Sequence, residues 1–256
     1  MPVPNTERTS ANEGRGHFSP RRENRLSRRL QSVEMAAVAQ EPFVVAHRAG
    51  NDLELLRRAA RVRPRLIEAD VHLFAGRLEV RHLKTLGPLP VLWDRWYVAL
   101  PRPPRLLLGD LLAAAAPDTV LMLDHKGPRV RLARRVAAEL ARHPGIGEVV
   151  VCSRSWRLLE PFAADPRVRV VHSVGSHRQL RALRRRFAGR RLAGISIHRR
   201  LLDPLTVSEL RERAELIVTW PVSTLEEARR LTAWGVHGVI TEHYETLTPA
   251  LEQDSA

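Results

Sequence analysis

The chain has 256 residues, a formal net charge of +14, 44% hydrophobic residues and a single cysteine. This length fits one large domain or two small ones, and the apolar fraction is enough to bury a sizeable core. No apolar run approaches the roughly 20 residues that a bilayer span needs, and residues 1–34 lack the apolar stretch of a secretory signal. The composition therefore excludes a helical membrane span and an intramolecular disulfide, and we expect a cytoplasmic protein.

The positive charge is spread along the chain. Residues 1–42 carry seven Arg and five Glu, a net charge of +2, so most of the charge lies beyond them. High basicity alone is weak evidence for nucleic-acid binding, and most of the arginines are expected on solvated helix faces. The densest run, Arg178–Arg191, is the best candidate for a weak contact with anionic surfaces, and we predict no specific nucleic-acid partner.

Residues 1–41 are rich in Ser, Asn, Arg, Glu and Pro and show no hydrophobic period, which predicts a disordered or loosely attached basic tail. From Phe43 onward, strand-like and helix-like segments alternate, as is typical of parallel sheets with crossover helices. Core strands are predicted at 43–47, 66–71, 120–125, 148–152, 168–172, 193–197, 215–220 and 237–241. Amphipathic helices are predicted at 51–61, 129–142, 176–187, 205–213 and 224–234.

Eight alternating strands predict an α/β fold, a single TIM (β/α)8 barrel over residues 42–250. The competing fold is an open doubly wound sheet, which usually carries a Gly-rich phosphate turn after its first strand. The sequence His47-Arg48-Ala49-Gly50 does not match that turn, which favours the barrel.

The segment 72–110 interrupts the alternation as a short insertion after the second strand. Leu78–His82 follows an Ala-Gly turn and predicts a hairpin arm that extends this strand. The aromatic and Pro-rich stretch 93–104 is too irregular for a helix. It predicts a lid or rim at the barrel mouth, or a surface loop whose aromatic residues pack onto the barrel.

Three carboxylates are predicted at the mouth of this barrel. Glu68 and Asp70 are two residues apart on the second strand and point to the same face, while Asp124 ends the third strand. Three carboxylates completed by water form an oxygen-only site, which suits Mg²⁺ or Ca²⁺ better than zinc. The alternative is a salt-bridge network with neighbouring arginines.

His47 ends the first strand and His82 ends the hairpin, so both can face the same site, and imidazoles can serve as acid and base near neutral pH. Most other histidines are expected to be surface or packing residues. Arg48 could bind phosphate oxygens through its planar guanidinium, and Lys126 could offer an ammonium group beside Asp124. Cys152 follows an apolar run and is expected to be a buried core thiol rather than a nucleophile.

In this order, these residues resemble the glycerophosphodiester phosphodiesterase family. Its barrel begins with a His-Arg-Gly strand and continues through Glu-x-Asp, His-Asp and Glu-x-Lys. The matching segments are His47-Arg48, Glu68-Ala69-Asp70, His82 and Asp124-His125-Lys126, followed by Val218–Val222 and Gly235–Glu242, which look like the family's seventh and closing strands. The resemblance covers residues 43–247, and the joint order of the motifs is more specific than any one of them.

The resemblance implies a role for each matched residue. It implies a divalent cation, Mg²⁺ or Ca²⁺, and hydrolysis of small-molecule glycerophosphodiesters to an alcohol and glycerol 3-phosphate in lipid metabolism. The implied residues are Glu68, Asp70 and Asp124 for the metal, His47 and His82 for acid–base catalysis, Arg48 and Lys126 for the phosphate, and Trp220 for the substrate lining.

The sequence departs from the family pattern at four places. Asp124 stands in place of Glu, Leu83 and His237 in place of Asp, and a Pro-Glu-Asn segment is reduced to Asn51-Asp52. Two alternatives stay open at this point. One is a lysophospholipase D-like or sphingomyelinase D-like enzyme, and the other is a catalytically weak or inactive barrel that binds phosphorylated ligands or anionic surfaces.

Overall fold

The computed structural model describes residues 41–85, 92–93, 98–99 and 105–254. The predicted basic tail, apart from its last residue, and most of the predicted lid or rim at 93–104 lie outside the described residues. All the residues proposed for the site lie within them.

Eight parallel strands close into a barrel, which confirms the predicted fold. The strands in chain order are β1 (Phe43–Ala46), β2 (Leu66–Phe74), β3 (Arg77–Val80), β4 (Lys84–Thr85), β5 (Leu92–Trp93), β6 (Val98–Ala99), β7 (Leu121–His125), β8 (Val149–Ser153), β9 (Val168–Val174), β10 (Ile195–His198), β11 (Ile217–Trp220) and β12 (Gly238–Thr241). Around the ring they run β1, β2, β7, β8, β9, β10, β11, β12. The ring closes because β1 pairs in parallel with both β2 and β12. Each predicted core strand is present.

Seven α-helices are described, and five of them match the predicted segments. They are α1 (Leu53–Val62), α2 (Leu108–Ala114), α3 (Val130–Arg142), α4 (His177–Arg186), α5 (Pro204–Arg213), α6 (Leu225–Ala233) and α7 (Tyr244–Gln253). Asp52 accepts hydrogen bonds at the start of α1, and Ser176 does the same at the start of α4, which fixes where these helices begin. Two helices were not predicted. Helix α2 begins near the end of the 72–110 insertion, and α7 contains an interior proline, Pro249.

The core has two parts. The larger part lies between the strands and the surrounding helices, and it includes the outward-facing side chains Ile67, Ala69 and Val71 of β2. The smaller part fills the barrel interior and contains Met122 and Cys152. Cys152 is buried as predicted, and its burial raises the pKa of the thiol well above the ordinary value, which disfavours the reactive thiolate.

The insertion after β2 begins with the predicted hairpin, because β3 pairs antiparallel with the end of β2. Strands β4, β5 and β6 then form a small antiparallel sheet in the same insertion, and β6 lies in the stretch 93–104 that was expected to be a lid, rim or surface loop. Among the helices of the described ranges, none is long and apolar enough to cross a bilayer.

The buried histidine His125 gives a testable prediction about acid stability. Its ring lies 5.3 Å from that of Phe162, neither ring nitrogen has a hydrogen-bond partner within the described residues, and burial lowers its pKa to about 3. Between an unfolded-state pKa of about 6.5 and this value, the unfolded chain binds a proton that the folded chain does not, so stability falls as the pH decreases. We expect His125→Leu to reduce the loss between pH 7 and pH 5 by about 2 kcal/mol.

Urea unfolding of both proteins at the two pH values, in metal-free buffer, measures this difference. The exposed His177 provides the control variant His177→Gln, which should behave like the parent protein. An equal loss of stability in the His125→Leu variant and the parent would contradict the prediction.

Candidate active site

The strand register brings the three predicted carboxylates together at the mouth of the barrel. Glu68 and Asp70 lie two residues apart on β2, and Asp124 of β7 pairs directly opposite Asp70. One ligand oxygen from each residue lies within 4.8 Å of the others. Two oxygens on opposite sides of a Ca²⁺ ion, each about 2.4 Å from it, would be about 4.8 Å apart. The residues therefore fit one hard cation held by oxygen ligands alone.

Burial makes it costly to keep all three carboxylates ionised. It raises the pKa of Glu68 well above the ordinary value, and the negative charge of Asp70 adds to the effect. Burial likewise raises the pKa of Asp124. Burial opposes the charge on Asp70 too, but hydrogen bonds from His82, Lys126 and Asn51 and the charge of Lys126 hold the pKa of this carboxyl well below the ordinary value. The carboxylates need a cation to share the site.

Lys126 supplies a positive charge in this structure. Its Nζ lies 2.5 Å from Oδ1 of Asp70 and also contacts Oδ2 of Asp124. Burial lowers the pKa of this ammonium, but the surrounding carboxylates outweigh burial and raise it above the ordinary value. The alternative of a salt-bridge network is thus partly realised, with a lysine rather than an arginine as the partner.

Asn51 holds Asp70 in place through two hydrogen bonds, a role that sequence analysis missed. Its Nδ2 donates to Oδ2 of Asp70 at 2.8 Å, and the backbone N–H of Asp70 donates to Oδ1 of Asn51 at 2.7 Å. Asn51 ends a 3₁₀ turn, Ala49–Asn51, that packs closely on β2, since a Cβ at Gly50 would lie 2.7 Å from Cβ of Ala69. The Asn51-Asp52 remnant of the family's Pro-Glu-Asn segment was the sequence feature that could have indicated this role.

Arg48 contributes to the site through its backbone as well as its side chain. It adopts a left-handed conformation with φ of 57°, which is strained for a residue with a side chain. In this conformation its N–H donates to Oε2 of Glu68 at 2.7 Å, and its Nη1 donates to Oε1 of Glu242 at 3.1 Å. Glu242 follows β12 and was noted in the sequence only as the end of a family motif.

Both predicted catalytic histidines lie at this mouth, and each has an acidic partner. Nδ1 of His47 is 3.3 Å from Oε1 of Glu242, and Nδ1 of His82 is 3.2 Å from Oδ2 of Asp70. Burial, with a contribution from the charge of Arg48, lowers the pKa of His47 to about 4, so the ring is neutral at pH 7. Asp70 replaces the orienting partner that Leu83 cannot provide for His82.

His72 is a second site neighbour that sequence analysis grouped with the surface and packing histidines. It lies two residues beyond Asp70 on β2 and is buried, and its Nε2 has no hydrogen-bond partner within the described part of the chain. Burial and the charge of Arg81 lower its pKa to about 3, so this ring is neutral as well.

Two other predicted positions lie away from the carboxylates. Trp220 ends β11, four strands from β7 around the ring of eight, and its ring packs against that of His198 at 4.8 Å. His237 precedes β12, at the opposite end of the barrel from the site, where its Nδ1 accepts a hydrogen bond from the backbone of Ile217. The departure from the family pattern at His237 therefore does not reach the site.

Nothing in the structure supports the predicted contact of the Arg178–Arg191 run with anionic surfaces. Two of its arginines are already paired within the chain, Arg184 with Glu209 at 2.6 Å and Arg186 with Glu160 at 3.3 Å. Such pairs reduce the positive charge that this helix presents to solvent.

No protein-family model matches the sequence, and a search of curated proteins finds no match either. The fold is similar to solved structures of phosphodiesterases. One is an Oleispira antarctica phosphodiesterase in complex with the product sn-glycerol-3-phosphate, with a TM-score of 0.67, 18% identity, and coverage of 83% of this chain and 97% of the other. A glycerophosphodiester phosphodiesterase from Parabacteroides distasonis has a TM-score of 0.65, 19% identity, and coverage of 84% and 99%. The corresponding enzyme from Thermotoga maritima has a TM-score of 0.65, 17% identity, and coverage of 82% and 99%. At these identities the likeness establishes the shared barrel fold.

The role of Asn51 can be tested by metal binding. Removing a partner that orients a ligand typically weakens metal affinity, and we expect Asn51→Ala to weaken it about 10–100-fold, with a larger loss in Glu68→Gln. Titration calorimetry with Mg²⁺, Ca²⁺ and Mn²⁺ measures this. Gln179→Ala is a matched control, because this amide bonds the backbone of Gly175 and Arg154 instead. Unchanged affinity in both site variants would contradict a metal site here.

Proposed function

We propose that the protein is a metal-dependent glycerophosphodiester phosphodiesterase that releases glycerol 3-phosphate and an alcohol. One observation carries the proposal. Three carboxylates, two imidazoles and two cationic side chains converge at one mouth of a barrel similar to such enzymes, one of them solved with sn-glycerol-3-phosphate. Since glycerophosphodiesters are phospholipids without their acyl chains, the activity would belong to lipid metabolism. The cytoplasm remains the location that we propose.

In this proposal Glu68, Asp70 and Asp124 hold the cation, for which Mg²⁺ and Ca²⁺ are the candidates. When bound, the ion would offset the charge that develops on the phosphoryl oxygens. Asn51 and the backbone N–H of Arg48 hold two of these carboxylates in place. The cluster is thus prepared by hydrogen bonds from groups that do not depend on the ion.

Arg48 and Lys126 are the proposed phosphate-binding groups. The guanidinium of Arg48 lies at the rim, where Glu242 holds it beside His47, and it can present two parallel N–H groups to the substrate. The ammonium of Lys126 lies among the carboxylates. Together they would fix the phosphate between the two histidines and stabilise its charge.

His47 and His82 are the proposed proton-transfer groups. His47 is neutral at pH 7, so it can accept the proton of the attacking hydroxyl, either from the glycerol moiety or from water. As the new P–O bond forms, the bond to the alcohol breaks, and His82, held by Asp70, gives that alkoxide oxygen a proton. If the glycerol hydroxyl attacks, water then opens the cyclic phosphate. Trp220 would line the substrate on the far side of the mouth.

The activity itself is the direct test. We expect the purified protein to release glycerol 3-phosphate from glycerophosphodiesters with a divalent cation and to lose activity when the cation is chelated. Removing a general acid or base should lower kcat about 10²–10⁴-fold, in both His47→Asn and His82→Asn. His177→Gln again serves as the control. If the protein instead releases the head group from lysophospholipids, the activity is lysophospholipase D-like. Ligand binding without any turnover would contradict the proposal.

The lowered pKa of His47 predicts the pH dependence. The ring accepts a proton only in its neutral form, so the acid limb of kcat/KM reflects the pKa of about 4 rather than the ordinary value of about 6.5. Glu242 raises this pKa, so Glu242→Gln should move the limb to lower pH. Initial rates between about pH 3 and 8, with folding checked by circular dichroism at each pH, measure the profile. A limb near pH 6.5 that Glu242→Gln leaves in place would contradict the assignment.

A further inference from the structure

The arginines on the far side of the mouth form a second cluster that the proposed reaction does not use. Arg154 follows β8, and Arg200 lies in the 3₁₀ turn Arg199–Leu201 after β10. Arg200 lies across the ring from Glu68 and Asp70, because β10 is four strands from β2. Arg154 comes from β8, a neighbour of β7, but its guanidinium extends to Gly175 after β9 and to Trp220, so the cluster lies mainly across the opening from β2. It lies beside Trp220 at the end of β11.

Gly175 is the point where the two guanidinium groups meet. A Cβ at this glycine would lie only 1.8 Å from Nη2 of Arg154, so the missing side chain makes room for that guanidinium. Cζ of Arg154 is also 5.3 Å from the ring centroid of Trp220, a cation–π distance. Nη2 of Arg200 donates to the carbonyl oxygen of Gly175 at 3.4 Å. Backbone and aromatic contacts therefore position both groups.

These two arginines differ from the neighbouring Arg199 in their ion pairing. The adjacent Arg199 is paired with Glu227, whereas neither Arg154 nor Arg200 forms an ion pair with a carboxylate of the described residues. The positive field reaches His198, whose pKa is lowered by burial and then by the charges of these arginines. Two positioned guanidinium groups with no carboxylate partner in the described part of the chain, beside a substrate opening, are suited to bind an anionic group.

We propose that Arg154 and Arg200 bind a carboxylate or phosphate on the alcohol part of the substrate, so that the enzyme prefers anionic diesters over choline diesters. This inference rests on the proposed function. The carboxylate cluster and Arg48 hold the scissile phosphate on one side, and a second anion on the leaving alcohol extends towards the opposite wall. A quaternary ammonium would instead meet two like charges beside Trp220.

Four diesters of glycerol 3-phosphate provide the test, and they differ only in the alcohol. The alcohols are 3-hydroxypropanoate, a second glycerol 3-phosphate, 1-propanol and choline, so that a carboxylate, a phosphate, a neutral group and a cation are compared. We expect kcat/KM to be highest for an anionic ester and lowest for the choline ester. In Arg154→Gln and Arg200→Gln, the ratio of the anionic to the propyl ester should fall about tenfold.

The variant Gly175→Ala distinguishes the effect of the position of the Arg154 guanidinium from the effect of net charge. It keeps both arginines but places a methyl group where the flexible end of Arg154 lies, so the same ratio should fall while the melting temperature is retained. The exposed Arg57 on α1 gives the control Arg57→Gln, which removes one charge elsewhere and should leave the ratio unchanged.

Two results would overturn the inference: a choline ester cleaved as well as the anionic ones, or an equal loss for all four esters in the arginine variants. If the parent protein cleaves none of the diesters, the proposed function fails separately. Titration calorimetry of the same four compounds then decides the matter, because an anionic preference that Arg154→Gln removes supports the second site, and equal affinities refute it.

Discussion

The crowding of three carboxylates in a buried barrel mouth is the constraint on which the rest of the site depends. Their mutual repulsion and their loss of solvent favour protonation, as the raised pKa values of Glu68 and Asp124 express. Lys126 and a set of hydrogen bonds offset this cost. The same crowding that makes the cluster costly would favour a divalent cation at the proposed metal site, so the cost in stability and the proposed chemistry share one origin.

The barrel backbone sets the positions of the site residues through strand pairing and one turn. Pairing of β2 with β7 sets Asp70 opposite Asp124 without any side-chain contact, and the turn after β1 brings Asn51 and the N–H of Arg48 onto β2. The two histidines proposed to transfer protons lie on other elements, His47 after β1 and His82 after the hairpin. The strands thus fix the carboxylates, while residues that follow the strand ends carry the proposed acid–base groups and the arginines proposed to set selectivity.

Much of the fold and the centre of the site could be predicted from the sequence, for physical reasons. Period-two alternation places Glu68 and Asp70 on one face, and apolar strand runs that alternate with amphipathic segments define the closed barrel. The partners of the site residues could not be predicted in the same way. Glu242 meets Arg48 across 194 positions, and the contact of Arg154 with Gly175 depends on how neighbouring strand ends are set. Helix α7 was not predicted, because its interior proline is unfavourable in a helix and argued against one from the sequence.

The position of Lys126 among the acidic groups has a consequence for the metal-free protein. The ammonium of Lys126, two residues from Asp124, lies against the carboxylates and offsets their charge. If the site takes up a divalent ion as proposed, folding of the barrel would not depend on that ion. Metal-free protein would then accumulate in the folded state and bind the ion afterwards.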